Sequence, residues 1–89
     1  MLEKQLHVIN KLGLHARAAA KLVGCAGRFS CKIILDKQGK TADAKSIMAV
    51  MMLAASKGTT VDVRLEGNDE SEAFEALNTL FNNRFDEEA

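Results

Sequence analysis

Alternation of apolar and polar residues predicts four strands along the chain. The clearest is residues 61–66, where valine and leucine alternate with aspartate, arginine and glutamate. The same pattern is found in residues 3–9 and 31–36, and a short polar connection containing a glycine leads from the latter to a predicted strand over residues 40–44. Because only one side of each strand is apolar, the sheet is expected to have one face in water.

Three further segments carry apolar residues at the spacing of an amphipathic helix. The first is residues 16–26, which are rich in alanine and leucine and are followed by a glycine that suits a helix end. The second is predicted to begin after Ser46, a good N-cap residue, and the third near residues 68–69, with a core face that extends to Phe85. Residues 86–89 are expected to form a frayed tail.

These elements predict one domain of 89 residues with the order βαββαβα. Three helices and a sheet with one wet face form two layers if all helices pack on the same side of the sheet. A purely parallel sheet needs cover on both faces, so the four strands are expected to be antiparallel. The predicted fold class is therefore α+β, an open-faced two-layer sandwich.

The most informative residues for function are His15 and Arg17, at the point where a loop becomes the first helix. The first backbone N–H groups of a helix have no partner within it, and the helix dipole favours an anion there. Imidazole is a nucleophile at neutral pH, so a phosphoryl group accepted by His15 would be held by these N–H groups and by Arg17. The alternative for His15 is a solvated or capping histidine without chemistry. The other histidine, His7, falls on the wet face of a strand and is assigned no role.

Two motifs of the chain resemble those of a known family. Residues 10–17, with the sequence Asn-Lys-Leu-Gly-Leu-His-Ala-Arg, resemble the active-site signature of the HPr phosphocarriers of the bacterial phosphotransferase system. Residues 45–48 and 51–53 resemble the second motif of that family, around its regulatory serine. The separation of the motifs, the chain length and the predicted order of elements also fit, so the resemblance extends over nearly the whole chain.

The resemblance implies a function and the residues that perform it. His15 would be phosphorylated on its ring Nδ1 by phospho-enzyme I and would pass the phosphoryl group to an enzyme IIA domain in sugar uptake. Arg17 would be the cation beside the phosphate, and Ser46 would match a serine that a dedicated kinase phosphorylates in some lineages. No resident cofactor or metal is implied, since phosphoenolpyruvate and magnesium act through enzyme I. Such a carrier is a substrate of other enzymes more than an enzyme itself.

One position departs from the family pattern. Ala18 stands where the family commonly has proline. Alanine is equally compatible with the first turn of a helix and keeps its N–H donor, so little functional loss is expected. The signature around His15 is shared by the sugar-transport carriers and the nitrogen-regulatory branch. A nitrogen-branch carrier that acts on a regulatory IIA protein is therefore the alternative within the family.

A partner-binding surface is expected around His15, on the exposed stripe of the first helix and on the second helix. The second helix contains three of the four methionines, and flexible thioethers suit a surface that binds several partners. Met51 is also expected to pack in the core. The residues predicted to contact partners are Leu14, Ala16, Ala20, Lys21, Gly24, Ile47, Met48 and Met51.

Ser46 has a structural and a regulatory interpretation. As an N-cap it would stabilise the second helix by about 1 kcal/mol without any modification. Phosphorylation would place an anion at a helix N-terminus, which the fold tolerates, beside the predicted docking surface, where it would repel an acidic partner. The regulatory role depends on a serine kinase as a further partner.

A net charge of zero conceals an uneven distribution. Residues 11–45 contain eight Lys or Arg and two Asp, for a net charge of +6, whereas residues 66–89 contain eight Asp or Glu and one Arg, for −7. The basic half contains His15 and suits an acidic or phosphate-bearing partner. It also allows a nucleic-acid-binding module, which the absence of Tyr and Trp disfavours. A small hydrolase with His15 as base is disfavoured because no acid or serine lies beside it in the sequence.

The remaining features predict a cytoplasmic protein. Cys25 and Cys31 lack metal-ligand spacing with either histidine and are expected to be reduced core thiols. No apolar segment approaches the length of a membrane span, and the N-terminal residues do not resemble a signal peptide. A monomer is expected because a carrier must expose His15 to successive partners.

Overall fold

The computed structural model describes residues 1–88 and has the predicted order of elements. The strands are β1 (Leu2–His7), β2 (Lys32–Lys37), β3 (Lys40–Asp43) and β4 (Thr60–Glu66). The helices are α1 (Ala16–Ala26), α2 (Ile47–Met52) and α3 (Glu70–Asn82), followed by a 3₁₀ helix at Arg84–Asp86.

The four strands form one antiparallel sheet with the order β1-β4-β2-β3. A two-residue turn joins β2 to β3, with Gln38 and Gly39 both at positive φ, as a tight hairpin turn requires. All three helices lie on one face of the sheet. The predicted open-faced α+β sandwich is confirmed.

The hydrophobic core lies between the sheet and the helices. In β4, Val61, Val63 and Leu65 are fully buried, whereas Asp62 on the opposite face is exposed. On that wet face Gln5 Nε2 donates a hydrogen bond to Asp62 Oδ1 at 3.1 Å. The alternation of apolar and polar residues in β4 therefore predicted correctly which side chains face the core and which face water.

Helices α1 and α3 are arranged so that the end of one meets the start of the other. Asp69, which precedes α3, accepts hydrogen bonds from the backbone N–H groups of Ser30 (2.8 Å) and Cys31 (2.9 Å), just after α1. These bonds, chiefly that from Ser30, lower the pKa of the Asp69 carboxyl. The residues after α3 consequently lie beside the start of α1, where His15 is located.

Helix α2 differs from its prediction. It has six residues, of which only Val50 is fully buried. Met51, expected to pack in the core, is 39% exposed, as is Ile47, which was predicted to contact partners. The prediction that Met51 packs in the core is wrong, because a helix this short presents only one residue fully to the interior.

The end of the chain also differs. Helix α3 ends at Asn82, so Phe85 lies beyond it, although its side chain is buried as predicted. The frayed tail predicted for residues 86–89 does not describe Glu87, whose side chain hydrogen-bonds to His15 and Asn10. Ala89 lies outside the described residues.

Candidate functional site

A tight turn after β1 leads the chain to His15. Asn10 is fully buried, and its Nδ2 donates to the carbonyl oxygen of Gly13 at 2.8 Å, while the Gly13 N–H returns a bond to the Asn10 carbonyl at 3.2 Å. Gly13 adopts φ +65°, a backbone conformation that suits glycine. The loop is thus closed by its own backbone and one buried amide.

The same loop is held against the segment that follows α2. The Leu14 N–H donates to the Ala55 carbonyl oxygen at 2.9 Å, and a Cβ at Gly13 would lie 2.5 Å from that oxygen. The Leu14 side chain is buried in the core. The prediction that the Leu14 side chain contacts a partner is therefore wrong; it anchors the loop that carries His15.

His15 is the N-cap residue of α1, as predicted. Its backbone is extended, with φ −73° and ψ 177°, and its carbonyl accepts the first helical hydrogen bond from the Ala19 N–H at 2.8 Å. The first N–H groups of α1, which directly follow His15, have no partner within the helix. Ala18, at the position where the family commonly has proline, is fully buried in this first turn. The helix therefore forms with alanine in place of proline.

The imidazole of His15 contacts a carboxylate from the other end of the chain. Glu87 Oε2 pairs with His15 Nε2, and Glu87 Oε1 accepts a bond from Asn10 Nδ2 at 3.1 Å. The hydrogen bond from His15, then that from Asn10, lowers the pKa of the Glu87 carboxyl, and the positive charge of Arg17 adds a smaller effect. Glu87 is therefore an ionised acceptor, so in the neutral imidazole the proton lies on Nε2 and the lone pair on Nδ1.

Beside the imidazole lies an open hollow that can receive a phosphoryl group. It is lined by Lys11, Leu12, His15, Ala16, Arg17 and Glu87. Arg17 is exposed, and its position next to His15 places a cation at the mouth of this hollow. The arrangement holds an anion without enclosing it, which suits a group that must be accepted and released.

Most residues predicted to bind partners are at least partly exposed, and one of them, Ala16, lines this hollow. Ala16, Ala20 and Gly24 on α1 are exposed to solvent at least in part, and Lys21 is half-buried. On α2, Met48 is 66% exposed, with Ile47 and Met51 less so. Two further apolar residues are exposed that the prediction did not include, Leu12 in the hollow and Met52 on α2.

Ser46 is the N-cap of α2, as predicted. Its hydroxyl oxygen accepts a hydrogen bond from the Ala49 N–H at 3.3 Å. The side chain is half-buried, and Ile47 and Met48 follow it directly on the exposed side of α2. A charge added to Ser46 would therefore lie at the edge of the apolar surface.

The cysteines and the second histidine lie away from the site. Burial raises the pKa of the Cys31 thiol, so Cys31 stays protonated in the core, while Cys25 is half-buried on α1. His7 is exposed on β1, where its Nδ1 hydrogen-bonds to the Thr60 hydroxyl at 3.0 Å. Among residues 1–88 no group of three or more potential ligands is placed to hold a metal ion.

The sequence pattern did not predict Asn10 or Glu87 as site residues. Asn10 was part of the loop motif, but its side-chain role depends on the turn at Gly13. Glu87 is 72 residues from His15, and no local pattern connects the two. Only the packing of α3 beside α1 brings its carboxylate to the imidazole.

Comparisons with known proteins agree with this geometry. A family model described as the PTS HPr component phosphorylation site matches residues 2–83. The phosphocarrier protein HPr of Xylella fastidiosa is 54% identical over 88 residues, which are 99% of this chain and 99% of that protein. The chain therefore belongs to the HPr family of phosphocarrier proteins, which confirms the resemblance of its motifs.

Solved structures of the family superpose closely on this chain. The crystal structure of HPr-C-His from Thermoanaerobacter tengcongensis has a TM-score of 0.96 at 45% identity, with all of both chains covered. An HPr dimer from the same organism has a TM-score of 0.79 at 45% identity, over 98% of this chain and 100% of that one.

Within the described residues, no helix is both long and apolar enough to cross a membrane.

Proposed function

We propose that this protein carries phosphoryl groups in the phosphotransferase system on His15 Nδ1. The observation that carries the proposal is the placement of His15 at the open start of α1 with its Nε2 engaged by Glu87. In the neutral imidazole with its proton on Nε2, Nδ1 has the free lone pair, and His15 directly precedes the N–H groups at the start of α1 that have no partner within the helix. A nucleophile and an anion-binding site therefore coincide.

The geometry supports a specific role for each group. As the Nδ1 lone pair forms the N–P bond, the bond to the leaving group of the donor breaks. The phosphoryl oxygens would then lie near the N-terminal N–H groups of α1, with Arg17 neutralising part of their charge. A charge-assisted hydrogen bond of this kind stabilises by roughly 1.5–3 kcal/mol. Because the hollow is open, the group can be passed on by the reverse step.

The partners proposed are phospho-enzyme I as donor and an enzyme IIA domain as acceptor. The exposed apolar side chains of α2, above all Met48, would be buried by either partner. The exposed basic residues that line the hollow, Lys11 and Arg17, suit an acidic partner surface. The protein would act in the cytoplasm and as a monomer, without a resident cofactor or metal.

Two refinements rest on the family. The relative from Xylella fastidiosa is described as HPr, which favours the sugar-transport branch over the nitrogen branch. Family membership likewise favours a phosphocarrier over a nucleic-acid-binding module.

Phosphorylation of Ser46 by a serine kinase would place negative charge at the edge of the docking surface and weaken binding to an acidic partner.

The proposal is tested by intact mass after incubation with phosphoenolpyruvate, magnesium and a catalytic amount of enzyme I. The wild type is expected to gain one acid-labile phosphoryl group, and His15→Ala none. His7→Ala removes the other histidine, which lies on the wet face of the sheet, and is expected to be phosphorylated like the wild type. Phosphorylation of His15→Ala, or none of the wild type with an active cognate enzyme I, would contradict the proposal.

A further inference from the structure

Glu87 is the one carboxylate in contact with the His15 imidazole within the described residues. Its side chain is only 12% exposed, and both carboxylate oxygens are engaged, one by His15 Nε2 and one by Asn10 Nδ2. Asn10 is itself fully buried and closes the loop that carries His15. The carboxylate is thus oriented by a residue of the same loop that positions the imidazole.

A strained turn delivers Glu87 to this position. Arg84, Phe85 and Asp86 have φ values of 55°, 53° and 63°, a left-handed conformation that non-glycine residues adopt at a free-energy penalty. Three consecutive residues in this conformation reverse the chain after α3 and direct residue 87 toward the start of α1. Such strain persists only where surrounding contacts hold it in place.

Two side chains supply those contacts. The Phe85 ring is fully buried, with its centroid 4.8 Å from that of Phe81. Lys21 Nζ donates a hydrogen bond to the Phe85 carbonyl at 2.8 Å and lies 3.6 Å from Asp86 Oδ2. The turn is therefore fixed from the core side and from α1, so Glu87 is held against His15.

From this geometry we infer that Glu87 is a positioning residue for phosphoryl transfer, which holds the proton of His15 on Nε2 and stabilises the imidazolium that forms when Nδ1 is phosphorylated. The inference rests on the proposed function of His15. It adds a side chain from beyond α3 to a site otherwise built from the loop and α1.

The chemistry of the step explains why a carboxylate helps. The Nδ1 lone pair attacks phosphorus, the donor's leaving group departs with its electron pair, and the ring becomes a cation with its proton still on Nε2. A carboxylate that accepts this N–H stabilises the cation and excludes the tautomer in which Nδ1 is protonated and unreactive. On donation the N–P electron pair returns to Nδ1 and the same proton stays in place, so no proton leaves the site.

The experiment compares initial rates of phosphorylation by enzyme I for three variants. Glu87→Ala removes the acceptor, and the expected result is a rate roughly tenfold lower, by analogy with the carboxylates that orient metal-bound histidines. Glu87→Gln keeps an acceptor but removes the charge and is expected to be intermediate. Glu88→Gln, which changes charge by the same amount at the neighbouring exposed residue, is the matched control and is expected to transfer at the wild-type rate.

A second measurement separates positioning from a merely structural role. In ¹⁵N NMR spectra of the unphosphorylated protein at neutral or higher pH, the His15 ring is expected to show a single tautomer with the proton on Nε2. In Glu87→Ala, with an unchanged fold by amide spectra, the ring nitrogens are expected to move toward the average of both tautomers.

Three results would overturn the inference. They are an unchanged or faster transfer rate in Glu87→Ala, an equal loss in Glu88→Gln, and a ring tautomer that does not respond to residue 87. A wild type that takes up no phosphate contradicts the proposed function as well. Equal transfer by wild type and Glu87→Ala contradicts this inference alone.

Discussion

At the scale of single residues, Gly13 determines where His15 can lie. Its φ is +65°, and a Cβ added to it would lie 2.5 Å from the Ala55 carbonyl oxygen, so there is no room for a side chain. The neighbouring atoms are backbone, so they cannot rotate away. The close approach of residues 13 and 55 is therefore a condition for the Leu14–Ala55 hydrogen bond that anchors the loop.

We expect Gly13→Ala to destabilise the protein and slow phosphoryl uptake. The left-handed backbone alone costs about 1–2 kcal/mol for alanine, and the clash with Ala55 adds to it. The free energy of unfolding from urea titration measures the first effect, and initial rates with enzyme I the second. Gly24→Ala is the control for the unfolding measurement alone, since a Cβ there meets nothing within 4 Å and alanine favours a helix. Equal stability of the two variants would contradict this account of the loop.

At the scale of elements, the sequence predicted a segment well where one side of it is apolar and the other polar. The bounds of α1 agree with the prediction because its apolar stripe is bordered by polar residues and ends near Gly27. Helix α2 is apolar on all sides, so its pattern could not show that only Val50 is fully buried. The turn at residues 84–86 contains no glycine and gives no local signal for a left-handed backbone. Glu87 was consequently assigned to a free tail.

Ser46 illustrates how one residue of an element can have two separable roles. Helix α2 has only six residues, so its cap contributes a large share of its stability. We expect Ser46→Ala to lower the free energy of unfolding by about 1 kcal/mol, measured by urea titration, and to leave enzyme I affinity nearly unchanged. We expect Ser46→Asp, which is an equally good cap, to keep the stability and weaken the affinity. If Ser46→Asp bound enzyme I as tightly as the wild type, the regulatory proposal would fail.

At the scale of the whole molecule, the two ends of the fold serve different purposes. At one end, Asp69 joins the start of α3 to the backbone after α1. This contact is purely structural. At the other end, the start of α1, the loop from β1 and the residues after α3 converge on His15. The residues beneath them form one continuous buried core, so the site is presented on a rigid support. The apolar side chains of α2 are exposed, and in our proposal a partner covers them transiently.

Because the two ends of the fold have different roles, partner binding can be disrupted at the His15 end without loss of the fold. Met48 is 66% exposed, so Met48→Asp is expected to leave the melting temperature almost unchanged. The same change removes apolar area that enzyme I would bury and adds a charge. Because burial of a methionine side chain is worth about 1.5–3 kcal/mol, the dissociation constant measured by titration calorimetry is expected to rise at least roughly tenfold.

Ser71→Asp is the matched control for the charge in that experiment. It adds the same charge on an exposed residue in the first turn of α3, at the end of the fold away from His15, where the helix dipole favours an acid. Its affinity for enzyme I is expected to equal that of the wild type. If Met48→Asp and Ser71→Asp weakened binding equally, the effect would be one of net charge. If neither weakened it, Met48 would lie outside the interface, and the partner surface would be restricted to α1 and the His15 loop.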